Sequence, residues 1–281
     1  MCWVCDMRGE GMFWYLNPRN HSRRMYKLRK PGEKPMQTSS LETAGEEEDP
    51  GELLGRAIDA KCDGDMETFE KLRQKANKWY VDHGATCQVV TLEECFEIVE
   101  IASPVAKMAC ICRKRVRALE EDENTYSCLG LGAGMFKWER WPERYRGGVE
   151  FMSPDEAKDW LRYWDDRGMM HCVMNYGGQI GGICNCDYPD CLMIRHRLDY
   201  GLDDCLLKGH YVAKVDYDLC IGCGDCVARC QFGAIKMEVT TNKTNIDQMR
   251  CFGCNLCYTG CPQDAITMVD KRTLPVMQEV W

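Results

Sequence analysis

The feature that most constrains this 281-residue chain is a cysteine motif that occurs twice near its carboxyl end. Both copies have the spacing C-x2-C-x2-C-x3-C, and each cysteine of the second copy lies 31 residues after its counterpart. The first copy consists of Cys220, Cys223, Cys226 and Cys230, and the second of Cys251, Cys254, Cys257 and Cys261. Glycine, alanine and isoleucine residues recur at the same interval, so the segment is an internal repeat. Thiolates at this spacing can hold three corners of an iron–sulfur cube from one tight loop.

Residues 210–281 resemble the bacterial-type ferredoxin domain, which holds two [4Fe–4S] clusters. The resemblance implies that each cluster takes three cysteines from one motif and the fourth from the other. One cluster would then be held by Cys220, Cys223, Cys226 and Cys261, and the other by Cys251, Cys254, Cys257 and Cys230. The first motif has Gln231 where the family usually has proline, a departure that leaves the ligands intact. Zinc sites instead pair two C-x2-C units a dozen or more residues apart, so this order of cysteines favours clusters.

A second group of cysteines lies upstream. It is a candidate for a third centre, iron–sulfur or zinc, because thiolates select both. The leading ligands are Cys110, Cys112, Cys184 and Cys186, with Cys128 and Cys191 as alternates. Glycines at 177–182 would let the backbone approach an inorganic centre. The competing hypothesis is that these thiols are buried or free and bind no metal. The stretch is similar to a cysteine-rich domain that precedes dicluster ferredoxins in uncharacterised proteins of strict anaerobes, although Asp187 stands where a further cysteine is common.

The remaining patterns predict an α+β chain in three segments. Residues 51–209 are expected to form a small mixed α/β domain, followed by the ferredoxin domain at 210–281. Capping boxes at Thr91–Glu94 and Ser153–Glu156 predict two helix starts. Strands are expected at 88–90 and 169–174. His171 is interpreted as a structural histidine.

Residues 1–50 are predicted to be an aromatic and basic arm followed by an acidic linker. Aromatic side chains are costly to leave in water, so we expect the arm to lie against another surface of the chain or of a partner. Its excess of arginine and lysine between positions 19 and 34 favours docking to a partner. Cys2 and Cys5 form a lone C-x2-C pair that could clip zinc with His21 or contact a partner, although we favour no metal there.

Charge and composition exclude several classes of function. Lys plus Arg is 36 against 44 Asp plus Glu, and this net charge of −8 argues against nucleic acid as the main partner. No stretch approaches the roughly 20 apolar residues of a membrane span. The arginine pair at 23–24 lacks the apolar run of an export signal, so we expect a cytoplasmic protein. The 21 cysteines are an odd number, which disfavours a fully paired disulfide framework.

The predicted function is electron transfer. No nucleotide-binding glycine motif or catalytic triad is recognisable, so a catalytic chain is less favoured than an electron-transfer subunit. We expect a subunit that relays low-potential electrons within a larger anaerobic oxidoreductase, with a flavin- or metal-containing subunit as redox partner. One alternative is a redox enzyme whose own metal centre lies in the middle domain and is fed by the clusters. Another is a redox-sensing scaffold, whose clusters no partner would reduce.

Overall fold

A computed structural model describes residues 2–21, 50–117, 126–140, 149–176 and 179–277 of the chain. The basic run apart from Arg19, most of the acidic linker, and Gly177 and Gly178 of the glycine-rich run lie outside these ranges. Among the described residues, no helix is long and apolar enough to cross a membrane.

Helices and strands alternate along the chain, which confirms the predicted mixture. The helices are α1 (Trp3–Arg8), α2 (Pro50–Cys62), α3 (Met66–His83), α4 (Leu92–Ile101), α5 (Ile111–Arg117), α6 (Met135–Arg140), α7 (Pro154–Asp166), α8 (Leu192–Tyr200), α9 (Asp225–Arg229) and α10 (Leu256–Thr259). The strands are β1 (Cys87–Val90), β2 (Val105–Ala109), β3 (Tyr126–Leu131), β4 (Val149–Met152), β5 (Met170–Tyr176), β6 (Gln179–Cys186), β7 (Leu206–Leu207), β8 (Tyr211–Val215), β9 (Ile235–Met237), β10 (Thr244–Ile246) and β11 (Ile266–Asp270). Short 3-10 turns lie at Pro18–Asn20, Lys271–Thr273 and Pro275–Met277.

Both predicted capping boxes are confirmed. Thr91 accepts a hydrogen bond from the backbone N–H of Glu94, whose carboxylate in turn accepts from the N–H of Thr91 at the start of α4. Ser153 and Glu156 repeat this arrangement at the start of α7. Each box satisfies backbone groups that a helix start would otherwise leave unpaired. The predicted strands at 88–90 and 169–174 are present as β1 and β5.

A seven-stranded sheet in the order β4-β2-β3-β6-β5-β1-β7 forms the centre of the molecule. It has more strands than the two whose ranges were predicted, since only β1 and β5 correspond to those ranges. All neighbouring pairs are antiparallel except β1 and β7. The C-terminal repeat adds two separate two-stranded sheets, β8 with β11 and β9 with β10.

Side chains alternate between the two faces of the central sheet, and the faces differ in chemistry. On one face Val90, Val173 and Ile183 pack with the residues of α4, α7 and the N-terminal segment. On the other face Cys172 and Cys186 pack with the residues of α2, α3 and α8. The sheet therefore separates a layer of mainly aliphatic and aromatic side chains from a layer richer in cysteine.

The N-terminal segment, residues 2–21, packs inside the chain rather than presenting its aromatic residues to a partner. Trp14 and Tyr15 are completely buried. The indole N–H of Trp14 donates to Gln88 Oε1 at 2.5 Å, and the Tyr15 hydroxyl donates to Glu94 Oε1 at 2.5 Å. These contacts place the segment against β1 and α4. The docking role expected of the basic run falls, apart from Arg19, on residues outside the described ranges and stays a prediction.

Candidate functional site

Two cavities lie within the C-terminal repeat, and four cysteines line each of them. Cys220, Cys223, Cys226 and Cys261 line the first cavity. Cys230, Cys251, Cys254 and Cys257 line the second. Each cavity thus combines three cysteines of one motif with the last cysteine of the other. The rest of each lining is mostly apolar, which would hold a bound group away from bulk water.

Equivalent loops carry the two sets of cysteines, and each loop depends on a glycine. Gly222 and Gly253 have φ angles of 73° and 75°, which residues with a side chain rarely adopt. A Cβ at Gly222 would lie 2.0 Å from the carbonyl oxygen of Asn242, and one at Gly253 would lie 2.2 Å from that of Tyr211. The repeated glycines therefore permit both the turn and its close backbone contact.

The last cysteine of each motif accepts a hydrogen bond from a backbone amide. The N–H of Ala234 donates to Cys230 Sγ at 3.3 Å, and the N–H of Ala265 donates to Cys261 Sγ at 3.4 Å. Hydrogen bonds to ligand sulfurs help to set the reduction potential of an iron–sulfur cluster. The alanines repeat at the same interval as the cysteines, so the two halves reproduce this contact as well.

The two cavities differ in their exposure to solvent. Cys223 of the first cavity is exposed, whereas Cys251 and Cys257 of the second are buried. Burial raises the pKa of Cys254 to about 12. The pKa of Cys220 is lowered, because hydrogen bonds with Thr244 and Gly222 outweigh the opposing effect of burial. The first cavity therefore lies near the surface, and the second lies in the interior.

The sulfur-rich face of the central sheet contains a second cysteine constellation. Cys172 on β5 lies directly opposite Cys184 on β6, and Cys186 follows two residues later on the same face. The sulfur atoms of these three residues all lie within 4.8 Å of one another. Hydrogen bonds with Cys128, Cys172 and Cys186 lower the pKa of Cys184, which favours the thiolate that binds metals.

Thiol–thiol contacts extend this group to most of the predicted ligands. Cys128 contacts both Cys184 and Cys110, and Cys110 contacts Cys112. On the other side Cys186 contacts Cys191. Of the four leading candidates, Cys184 and Cys186 thus belong to the tight group, whereas Cys110 and Cys112 connect to it through Cys128.

Sequence reasoning did not select Cys172 as a ligand, although it completes the tight group of sulfurs. The available signal was its place in the predicted strand at 169–174. The alternation of side chains along a strand assigns Cys172 to one face of the sheet, but it does not identify the residue opposite it. The contact of Cys172 with Cys184 depends on the pairing of β5 with β6. His171, one residue away, is on the opposite face, where its Nδ1 lies 2.7 Å from Asn185 Oδ1 in a fully buried pair.

The buried cavity adjoins the sulfur-rich face of the sheet. Cys230 and Cys254, which line that cavity, pack against the same apolar cluster as Cys172 and Cys186. The rings of Phe232 and Phe252, which line the cavity and belong to this cluster, stack with their centroids 4.0 Å apart. The interior of the C-terminal repeat is therefore continuous with the cysteines of the sheet.

Gln231, the departure from the ferredoxin motif, connects these two regions by hydrogen bonds. Its Nε2 donates to the carbonyl oxygens of Gly168 at 2.6 Å and Cys186 at 3.3 Å. Its Oε1 accepts from the N–H of Tyr188 at 2.9 Å. A proline could make none of these side-chain contacts. The substitution in the motif thus has a structural role at the junction.

Replacing Gln231 with proline is expected to lower the free energy of unfolding by about 1.5–4.5 kcal/mol, because three hydrogen bonds are lost and each contributes about 0.5–1.5 kcal/mol. Bound iron should be unchanged, since no cysteine is altered. Anaerobic denaturant titration measures the first quantity and metal analysis the second. Gln74→Ala is the control, because Gln74 is exposed on α3 and lines neither cavity. An equal loss of stability in the control would contradict the role given to Gln231.

Cys2 and Cys5 lie beside a histidine, but not the one that the sequence suggested. His21, considered as their partner, instead places its Nε2 2.8 Å from the carbonyl oxygen of Tyr15. The imidazole next to the two thiols belongs to His210, whose Nε2 is 3.3 Å from Cys5 Sγ. The pairing with His21 is therefore wrong, because the chain brings in a residue more than 200 positions away.

Comparison with known protein families bears on the C-terminal repeat. A family model described as a 4Fe-4S dicluster domain matches residues 213–268, which contain all eight cysteines of both motifs. The match confirms the predicted C-terminal iron–sulfur domain and supports an electron-transfer role. No curated protein matches the chain.

Proposed function

We propose, since the chain carries a C-terminal 4Fe-4S dicluster domain, that it relays electrons through two [4Fe–4S] clusters. Cys220, Cys223, Cys226 and Cys261 would hold the first cluster, and Cys251, Cys254, Cys257 and Cys230 the second. The observation that carries this assignment is the lining of the two cavities, each with four cysteines drawn from both motifs. Four thiolates are the ligand set that a [4Fe–4S] cluster requires.

The surroundings of both cavities fit such clusters. Backbone amides donate to the sulfurs of Cys230 and Cys261, and glycines hold the loops in conformations that other residues rarely adopt. When bound, the clusters supply one-electron transfer. The protein's own part is to exclude water from the inner site, to donate hydrogen bonds to the ligand sulfurs and to fix the two sites side by side.

The difference in exposure suggests where a redox partner docks. The first cavity opens beside exposed apolar residues, Tyr217, Leu219 and Ile221, the last of which is 61% exposed. Apolar side chains exposed together favour a protein contact. A partner at this surface would exchange electrons with the outer cluster, and the inner cluster would pass them towards the central sheet. We infer a flavin- or metal-containing partner subunit in a cytoplasmic, anaerobic oxidoreductase complex.

A second candidate function is a redox enzyme with its own metal centre in the middle of the chain. The observation that favours it is the mutual contact of Cys172, Cys184 and Cys186 on the sheet. Cys128 touches Cys184 and would be the fourth ligand, and Cys110, Cys112 and Cys191 adjoin the group. Three or four thiolates suit an iron–sulfur or zinc centre. Its position next to the inner cavity would let the inner cluster exchange electrons with it.

Metal analysis of the full chain, produced anaerobically with iron and sulfide supplied, tests the relay. Two clusters require about eight irons and eight sulfides per chain. Stepwise chemical reduction followed by EPR spectroscopy is expected to give the signals of two reduced clusters that interact magnetically, since the cavities adjoin. Iron beyond eight would favour the additional centre. A chain that holds only one cluster, or clusters that chemical reductants cannot reduce, would contradict the relay.

A further inference from the structure

A second metal-ligating group, remote from the sheet cysteines, lies where the N-terminal segment meets the start of the C-terminal repeat. It consists of Cys2, Cys5 and His210, which are all buried. The two sulfurs are 3.6 Å apart, and His210 Nε2 lies 3.3 Å from Cys5 Sγ and 4.0 Å from Cys2 Sγ. In a tetrahedral zinc site, Zn–S bonds of about 2.3 Å and Zn–N bonds of about 2.0 Å place sulfur ligands about 3.8 Å apart and sulfur and nitrogen about 3.5 Å apart. The observed sulfur–sulfur separation is slightly shorter than the first value, and the two sulfur–nitrogen separations lie on either side of the second.

We propose that Cys2, Cys5 and His210 bind a zinc ion, with a water molecule as the fourth ligand. Gln88 is fully buried on β1, and its Nε2 lies 3.4 Å from both Cys2 Sγ and His210 Nε2. This Nε2 donates a hydrogen bond to Cys2 Sγ, while Gln88 Oε1 accepts from the indole of Trp14, so Gln88 supports a ligand sulfur rather than binding the metal. Two thiolates and an imidazole are a donor set that zinc takes in proteins. The proposal is independent of the assignment of the iron–sulfur clusters.

The groups behind the ligands fit a zinc-bound imidazole. His210 Nδ1 lies 2.6 Å from the hydroxyl of Tyr15, which donates in turn to Glu94. A histidine that binds zinc through Nε2 donates its Nδ1–H to such an oxygen, and this contact fixes its tautomer and orientation. The ring of Phe13 stacks on His210 with their centroids 3.8 Å apart.

The closed environment gives this zinc a structural role rather than a catalytic one. Cys2, Cys5, His210 and Gln88 are each at most 3% exposed, so the fourth position is closed to substrate. The ion would link α1 to His210, the residue before β8. That same stretch supports the inner cysteine loop, because the N–H of Gly209 donates to the carbonyl of Phe252, between Cys251 and Cys254. The zinc ion would therefore stabilise the backbone that contacts the inner cysteine loop.

Zinc analysis of the full chain tests the proposal. The protein purified from zinc-supplied cells without chelators should contain about one zinc per chain from this site. The variants Cys5→Ser and His210→Asn should each lose that zinc. His21→Asn and Cys62→Ser are the matched controls and should retain it, since His21 lies elsewhere in the segment and Cys62 is exposed. Zinc retained by Cys5→Ser, or lost equally from the controls, would overturn the assignment.

X-ray absorption at the zinc edge of the wild-type protein keeps the test valid if a variant fails to fold. The expected zinc shell has two sulfurs at about 2.3 Å and two nitrogen or oxygen atoms at about 2.0 Å. A shell of four sulfurs would mean that zinc occupies cysteines of the sheet or of the repeat instead, and it would overturn the proposal. Wild-type protein with no zinc would overturn it as well.

Discussion

Replacing Cys261 with alanine is expected to abolish the outer cluster, proposed at Cys220, Cys223 and Cys226, and to spare the inner one. Cys261 is the last cysteine of the second motif but lines the cavity that holds the first three cysteines of the first motif. Bound iron should fall from about eight to about four per chain, because a [4Fe–4S] cluster that loses a thiolate ligand is lost or degraded. The EPR spectrum of the reduced variant should lose its magnetic interaction and retain the signal of one isolated cluster.

Resistance to a chelator identifies which cluster survives. Cys223 of the outer cavity is exposed, whereas Cys251 and Cys257 of the inner cavity are buried. The cluster left in Cys261→Ala should therefore release iron to a chelator slowly, and the one left in the reciprocal variant Cys230→Ala should release it quickly. Cys62→Ser is the control and should retain both clusters. If Cys261→Ala kept the labile cluster and lost the resistant one, the crossed assignment would be wrong.

The C-terminal domain could be predicted from sequence because its chemistry is local. Three of the four ligands in each set fall within seven consecutive residues, such as Cys251, Cys254 and Cys257. The capping boxes at Thr91 and Ser153 were equally readable, since each is closed by the residue three positions later. The crossed fourth ligands came from the resemblance to ferredoxins rather than from the spacing.

The sulfur-rich face could not be predicted in detail because it depends on strand order. Cys128, Cys172 and Cys184 meet through the arrangement β3-β6-β5. The β5–β6 pairing sets Cys172 opposite Cys184, and a shift of one residue would send either side chain to the other face. The spacing of cysteines along the chain selected the C-x-C pairs as candidate ligands. It did not select Cys172, because that residue has no cysteine near it in sequence.

The N-terminal group illustrates the same limit. Cys2 and Cys5 were readable as a pair, but His21 was the histidine considered beside them, and no metal was favoured there. The burial of Trp14 and Tyr15 against Gln88 and Glu94 is what brings α1 to His210. Contacts between residues so far apart carry no signal in a single sequence.

The largest effect in the middle of the chain is expected from replacing Cys184 with serine. Cys184 contacts Cys128, Cys172 and Cys186, so it is the thiol common to the whole group. The variant should lose the metal of the proposed third centre, because a serine hydroxyl is a poor substitute for a thiolate towards zinc or iron. The iron of the two ferredoxin-type clusters should be retained. Metal analysis and EPR of the full chain, compared with wild type, measure both quantities.

Cys95→Ser is the matched control for this variant. Cys95 is completely buried on α4, on the aliphatic and aromatic side of the sheet, so its replacement carries a comparable cost of burying a hydroxyl without touching the sulfur-rich face. Metal lost from Cys184→Ser but not from Cys95→Ser would establish the third centre and favour an enzyme fed by the clusters. If the wild-type chain holds no metal beyond the two clusters and the N-terminal zinc, the thiols of the sheet act as apolar packing. The inner cluster would then have no acceptor in the sheet, and both transfers of the relay would have to occur with partner proteins.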